Sequence, residues 1–323
     1  MILAIDSGTT RTRAWLLDGE RVTEGASTIA GARDRNAEWL LERVRAVADE
    51  TLGAAARSWD EVDAVVAFGM ITSEFGLVEL PHLVAPVGVT DLAAAMHELG
   101  DRGPFPARLL LVPGVRNASD LIARADFMRG EETEVMGLLA VGGVQPPLLY
   151  VSIGSHPKFV WVDAAGRIAW SLTTLSGELI WALHRETILA DLLDPAAEAV
   201  DVDAVDEGAR VAESAGLSRA LFAARILSRI GGASGATCSS FIHGAVARVD
   251  LRALEAELPD GADVARIVLS GRGPLLAAYH HLLRLRETEL HVSEQPLGAI
   301  GARVLYETRA ALGPAEEGRK VHA

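Results

Sequence analysis

Two segments of this chain open in the same way, and that shared opening restricts the fold more than any other feature. Ile2-Leu3-Ala4-Ile5-Asp6 is an apolar strand pattern, Ser7-Gly8-Thr9-Thr10-Arg11-Thr12 a polar turn, and Arg13-Ala14-Trp15-Leu16-Leu17-Asp18 a second strand. In the second half, residues 148–153, Gly154-Ser155-His156-Pro157 and residues 158–163 repeat the order strand, Gly/Ser turn, strand. Behind each opening, strand patterns alternate with helical periodicity, which implies α/β layers. A chain of 323 residues, half of them hydrophobic, can supply a core to each of two such domains. The segment from Gly142-Gly143 to Pro146-Pro147 is the clearest break in composition. Domains are therefore expected at residues 1–143 and 144–323.

Helical periodicity is read over residues 37–56, 91–99 (with Gly100 as a C-terminal stop), 131–141, 178–193, 205–214, 218–230, 275–285 and 297–312. Further strands are expected at 62–68, 109–112, 167–172, 267–269 and 291–293.

The formal net charge of −14 excludes the basic surface that nucleic acid or an anionic membrane would need. Any anionic ligand must then be met by local backbone amides, a few cations or a metal. The single cysteine, Cys238, rules out a disulfide within the chain and fits a reducing, cytoplasmic setting. The apolar run at residues 1–5 is too short for a secretory signal and lacks a basic start. All basic residues except Lys158 and Lys320 are arginine. Lys320 is expected in a solvated tail, whereas Lys158 marks a position that wants a compact ammonium.

The first turn is suited to phosphate. Glycine lets backbone amides approach closely, and threonine hydroxyls add donors, so Gly8, Thr9, Thr10 and Arg11 are candidate phosphate ligands. Asp6, closing the strand, suits Mg²⁺ held through water. Gly154, Ser155 and His156 occupy the equivalent turn in the second half, with Lys158 available to neutralise phosphate charge. Ser270-Gly271-Arg272-Gly273 passes from a strand into a helix start, a place for the nucleoside side of a nucleotide, with Ser270, Gly271 and Gly273 as candidates. Each of these three turns also fits an ordinary connection. Their value lies in coming together in one chain.

A carboxylate cluster begins at Asp126 and continues through Glu131, Glu132 and Glu134 into an apolar helix. Acidic residues at a helix start are favoured by its dipole whatever the function. Arg129-Gly130 directly before them is not explained that way. An arginine at a glycine-opened helix start can bind a carboxylate bidentately, and an adjacent glutamate can take a proton from a hydroxyl. Asp126, Glu131 and Glu132 are the candidate bases.

Taken in order, these segments resemble the 2-dehydro-3-deoxygalactonokinases of the actin–hexokinase superfamily. The resemblance runs through residues 6–17, 69–86, 112–114, 127–138, 154–160, 176–189 and 268–279, and Met128-Arg129-Gly130-Glu131-Glu132-Thr133 is its most specific string. It implies two ribonuclease-H-like α/β domains with a nucleotide in the cleft between them. It implies phosphorylation of 2-dehydro-3-deoxy-D-galactonate on its 6-hydroxyl by ATP with Mg²⁺. It ranks Glu131 first as base and places Ser73, Arg129 and Gly130 on the sugar-acid side. Where the family has tryptophan after the first aspartate this chain has Ser7, and Thr72-Ser73-Glu74-Phe75-Gly76-Leu77 also departs from the family pattern.

Two other readings use the same residues. One keeps the fold and changes the acceptor to another sugar or sugar acid. The other is a nucleotide-binding sensor without turnover, which the presence of both Asp6 and the Glu131 cluster disfavours. A dehydrogenase is excluded because no strand is followed by the spaced-glycine dinucleotide fingerprint. The oligomeric state is open between a monomer and a homodimer.

Overall fold

The computed structural model describes residues 1–29, 37–99, 103–119, 121–194, 197, 199–262, 264–284 and 288–313. Gly100, Leu285 and Lys320 lie outside them. The chain divides into two units. The first holds Met1–Gln145, Gly166–Ala169 and the chain from Gln295; the second holds Pro146–Ala165 and Trp170–Glu294.

Along the first unit run β1 (Ile2–Ser7), β2 (Thr12–Asp18), β3 (Arg21–Thr28), α1 (Ala37–Ala54), β4 (Ala64–Gly69), β5 (Leu83–Val84) and α2 (Val89–Ala95). They are followed by β6 (His97–Leu99), β7 (Arg108–Leu111), β8 (Val115–Arg116), β9 (Phe127–Met128) and α3 (Glu131–Val141). Six strands form one sheet in the order β3-β2-β1-β4-β7-β6, and β5-β8-β9 form a small second one. β1, β4 and β7 are mutually parallel, so their carboxyl ends share one edge, with Ser7 beside Gly69. That edge is where ligands bind in open α/β sheets. Alternation in β1 sends Leu3 and Ile5 into a core with Leu40 and Val44 of α1.

The second unit contains β10 (Leu148–Ile153), β11 (Lys158–Val162), most of β12 (Ile168–Thr173), α4 (Ser176–Glu186), α5 (Val202–Ala215) and α6 (Leu217–Arg229). Then come α7 (Gly235–Glu257), β13 (Arg266–Gly271), α8 (Gly273–Arg284) and β14 (Glu289–Ser293). Its sheet order is β12-β11-β10-β13-β14, with β10, β13 and β14 parallel. The last helix, α9 (Leu297–Leu312), packs on α3 and α2 of the first unit. Residues 297–312 thus cluster with the first unit although they follow the expected boundary in sequence. The α3–α9 crossing is close enough to demand glycine. A Cβ on Gly301 would lie 1.8 Å from the Thr133 carbonyl oxygen, and one on Gly137 2.0 Å from that of Leu297.

Three expectations change. The helix read over 91–99 stops at Ala95, and residues 97–99 form β6. The helix read over 178–193 ends at Glu186, and a short 3-10 turn at Ala190–Leu192 follows it. The longest helix, α7, was not expected at all. It is the central element of the second unit's core, buried from Cys238 through Ala247.

Candidate active site

The first unit gathers three chain segments at the carboxyl edge of β1 and β4. The β1–β2 turn is closed by the Gly8 amide donating to the Arg11 carbonyl at 2.8 Å. Asp6, at the end of β1, accepts from Arg13 Nη2 at 2.7 Å. Ser7 is fully buried, and its hydroxyl makes no hydrogen bond among the described residues. Gly69 ends β4 at φ +85°, where a Cβ would stand 2.6 Å from the Ser7 carbonyl oxygen and 3.3 Å from Asp6 Oδ1. Only glycine fits that φ and that approach together. A Cβ on Gly130, at φ +114°, would meet the Gly69 Cα at 3.5 Å. Asp6, the first turn and the start of α3 are therefore neighbours.

At that helix start, Glu132 is fully buried. The Gly130 amide donates to both of its carboxylate oxygens, at 2.9 and 2.7 Å, and the Thr133 hydroxyl adds a bond at 3.2 Å. Burial, with help from the neighbouring Glu131 charge, pushes the Glu132 carboxyl up to about 8. Glu131 is half-buried one position earlier, and Asp126 is half-buried ahead of β9. Arg129 donates to the Thr72 hydroxyl at 3.1 Å and to the Leu80 carbonyl at 2.7 Å, tying the 72–80 loop to α3. Ser73 is buried, and its hydroxyl donates to the Met70 carbonyl at 2.7 Å, so it shapes that loop from within. Glu74 is exposed.

The second unit carries its own turn, Gly154–Pro157, between β10 and β11. The start of α4 lies against it. Glu178 N–H donates to the Ser155 carbonyl at 2.8 Å, and Thr174 N–H to the Pro157 carbonyl at 2.9 Å. A Cβ on Gly177 would stand 2.1 Å from the Gly154 carbonyl oxygen. His156 Nε2 lies 2.9 Å from Glu178 Oε2. Lys158 is buried on β11, and its ammonium donates to the Thr173 hydroxyl. Beside β10, Ser270 and Gly271 end β13, paired with Ser152 and Ile153. Gly271 and Gly273 both take positive φ, at +141° and +80°, as the chain turns into α8. Gly273 also borders a cavity of about 430 Å³ lined by Val200, Leu276, Ala277, His280, Arg284 and Val292. Of the candidates from the sequence, Asp6, Gly8–Arg11 and Arg129–Glu132 thus share one edge of the first unit. Gly154–His156, Ser270, Gly271 and Gly273 share one edge of the second.

Asp250 of α7 was missed by the sequence reading. It is buried and accepts from Thr174 Oγ1 at 2.8 Å, from Ser176 Oγ at 2.7 Å and from the Tyr279 hydroxyl. Burial raises its carboxyl, against the lowering effect of the three hydroxyls.

The donor set of both turns suits phosphate: backbone amides, small side chains and room for close approach, with no Cβ contact anywhere near Gly154. Among the described residues there is no cluster of three or more His, Cys, Asp or Glu that would hold a metal by itself. A lone strand-end carboxylate such as Asp6 fits a magnesium ion that arrives coordinated by phosphate and water.

Two α/β units, each opening on a hairpin whose polar turn stands at the carboxyl edge of parallel strands, mark the fold class that actin-like ATPases and sugar kinases share. The structure superposes on a Sinorhizobium meliloti protein that bears the name 2-dehydro-3-deoxygalactonokinase, with a TM-score of 0.75 at 22% identity, covering 98% of this chain and 100% of that one. The activator of 2-hydroxyisocaproyl-CoA dehydratase from Clostridium difficile, solved with bound ADPNP, shares the fold at a TM-score of 0.54 and 14% identity, over 100% of this chain and 99% of that one. Within the class, residues 6–302 match the 2-keto-3-deoxy-galactonokinase family, and the chain belongs to it. It is therefore a phosphotransferase acting on an alcohol group. The 2-dehydro-3-deoxygalactonokinase of Escherichia coli (strain K12) is 28% identical over 229 residues, 71% of this chain and 68% of that protein. Among the described residues, no helix is long and apolar enough to cross a membrane.

Proposed function

We propose that the enzyme transfers the γ-phosphoryl group of ATP, supplied as MgATP, to the 6-hydroxyl of 2-dehydro-3-deoxy-D-galactonate in the cytoplasm. The observation that carries this reading is the meeting of Asp6, the Gly8–Arg11 turn and the Arg129–Glu132 helix start at one sheet edge, in a chain of this family. Phosphoryl transfer needs positioning, charge neutralisation and a base for the attacking oxygen, and that edge offers a residue for each.

Asp6 is the carboxylate that would hold the magnesium ion of the nucleotide through water. Gly8, whose amide closes the turn on Arg11, shapes the first phosphate turn. The amides and hydroxyls of Thr9 and Thr10 are its phosphate donors, and the Gly154 and Ser155 amides with the Ser155 hydroxyl are those of the turn in the second unit. Ser270, Gly271 and Gly273 lie on the nucleoside side, with the neighbouring cavity to receive the base. Arg129, steadied by Thr72 and Leu80, receives the substrate carboxylate, with Arg11 as the alternative to it. Glu131 takes the proton as O6 bonds to phosphorus and the bond to the ADP oxygen breaks. Glu132, buried and bonded to the Gly130 amide, fixes the helix start on which Glu131 stands. Lys158, buried against Thr173, supports the second turn from below and contributes its charge at short range.

A panel of acceptors in an ADP-release assay tests the reading. Turnover is expected with 2-dehydro-3-deoxy-D-galactonate and MgATP. Preference for another sugar acid, a sugar or an amino sugar overturns the acceptor but keeps the kinase. Nucleotide binding without turnover on any acceptor overturns the catalytic reading in favour of a sensor.

A further inference from the structure

The second turn is shaped by residues far from it in sequence. Its geometry depends on the 174–178 segment, which bonds to the Ser155 and Pro157 carbonyls and allows no side chain at Gly177. That segment carries its own tether. Ser176 Oγ and Thr174 Oγ1 donate to the two carboxylate oxygens of Asp250, 74 and 76 residues away. The same Asp250 Oδ2 accepts from the hydroxyl of Tyr279, a fully buried residue of α8. α8 begins at Gly273, two residues beyond the end of β13. One buried carboxylate thus joins the segment under the Gly154–Pro157 turn to the helix that follows Gly271.

We propose that Asp250 is a positioning residue for nucleotide phosphate. Through Ser176 and Thr174 it holds the start of α4 beneath the second turn, and through Tyr279 it keeps that turn in register with α8. The carboxylate acts through these three hydroxyl partners. A buried acceptor shared by three hydroxyls specifies one arrangement of its partners, because loss of any donor leaves less compensation for its burial. An apolar residue would fill the same space in the core without fixing where the 174–178 segment lies. This inference rests on reading Gly154–Pro157 as a phosphate turn.

The test compares ADP, with Mg²⁺, and AMP as probes, titrated by calorimetry against the full-length chain. ADP carries the β-phosphate that the second turn is held to bind, and AMP does not. Ser176→Ala and Tyr279→Phe each delete one hydroxyl from the network, and Asp250→Asn removes its charge. Each variant is expected to weaken ADP binding about three- to tenfold, on the scale of one hydrogen bond, while AMP affinity stays at the wild-type value. Folded variants that bind ADP as the wild type does would overturn the inference. So would equal weakening of ADP and AMP, which would mark the network as a structural support of the unit as a whole. If Asp250→Asn does not fold, the two hydroxyl deletions decide. No acceptor is present, so an error in the sugar acid leaves the outcome untouched. Wild-type chain that binds neither probe would refute the nucleotide reading, and the inference with it.

Discussion

Asp6 and Arg13 stand directly opposite each other in the antiparallel register of β1 and β2, and Arg13 Nη2 donates to Asp6 Oδ2 at 2.7 Å. The guanidinium also lies over the Trp15 ring, with 5.3 Å from its central carbon to the ring centroid. The stacking limits where the arginine can go, and the arginine limits the rotamers of the aspartate. Residues facing across a sheet form the unit of its side-chain interactions, and here that unit orients the carboxylate assigned to the nucleotide's metal. Arg13 was not among the residues singled out by sequence.

Two substitutions separate the roles in this pair. Asp6→Asn removes the charge and is expected to lower kcat at saturating acceptor by about two orders of magnitude, the scale of a lost electrostatic contact to a reacting phosphate. Arg13→Ala leaves the carboxylate in place but free to rotate. It is expected to lower kcat by less than about tenfold, as befits a partly exposed ion pair. Steady-state kinetics at several Mg²⁺ concentrations check both, and an Asp6→Asn enzyme with wild-type kcat would remove Asp6 from the mechanism.

Glu131 and Glu132 adjoin in sequence and differ sharply in surroundings. Glu131 is assigned the proton from the acceptor hydroxyl. Glu131→Gln is therefore expected to reduce kcat by about 10² to 10⁴, the usual contribution of a general base, with the KM for MgATP little changed. Asp126→Asn, ahead of β9 and half-buried, is expected to retain most activity. If Asp126→Asn proves the more damaging in a side-by-side kcat comparison, the base is Asp126 and Glu131 is a cap for α3.

Glu132 has a consequence for stability that Glu131 does not. Its carboxyl is pushed by burial from the ordinary 4.5 to about 8, so the folded chain keeps a proton that the unfolded chain releases. Stability that is complete below the lower value is then lost progressively as pH rises toward the upper one, by on the order of 1 kcal/mol per pH unit. Glu132→Gln removes the titration and is expected to flatten the fall in melting temperature between pH 5 and pH 8. Thermal melts of both proteins across that range check it; parallel curves would mean that Glu132 ionises normally in the folded state.

The outline of the fold was open to reading because its strongest constraints are local. The strand–turn–strand openings, Gly130 ahead of an acidic helix start, and Gly271-Arg272-Gly273 entering α8 all signal within a dozen residues. The pairing of Asp6 with Arg13 was also within reach, since a short turn between the strands fixes their register. α7 was not legible for a physical reason. It is buried on all sides from Cys238 to Ala247, so it shows no polar face and no 3.6-residue alternation to detect. Its one local mark is Ser234, which caps the helix by accepting from the Thr237 amide. Asp250 was lost with it, because its partners are 29 to 76 residues away and a lone aspartate in sequence says nothing of them.

Gly177 and Gly301 are forbidden a side chain by the same kind of collision, yet alanine at each should have different effects. At Gly301 the new Cβ would be driven against the Thr133 carbonyl, 1.8 Å away, in the α3–α9 crossing. Two packed helices must separate, and overpacking of that kind costs about 1–3 kcal/mol, so Gly301→Ala is expected to lower the melting temperature clearly. At Gly177 the Cβ would meet the Gly154 carbonyl at 2.1 Å and Ser155 Cα at 2.9 Å. A turn has more freedom to move than a helix crossing, so much of the strain is relieved by displacing Gly154 and Ser155. Gly177→Ala is therefore expected to cost less stability and to raise the KM for MgATP about tenfold or more, since misplacement by an ångström at a phosphate site is expensive. Melting temperature and KM measured together on the two variants distinguish the cases. A Gly177→Ala enzyme with an unchanged KM for MgATP would show that the Gly154–Pro157 turn does not bind the nucleotide.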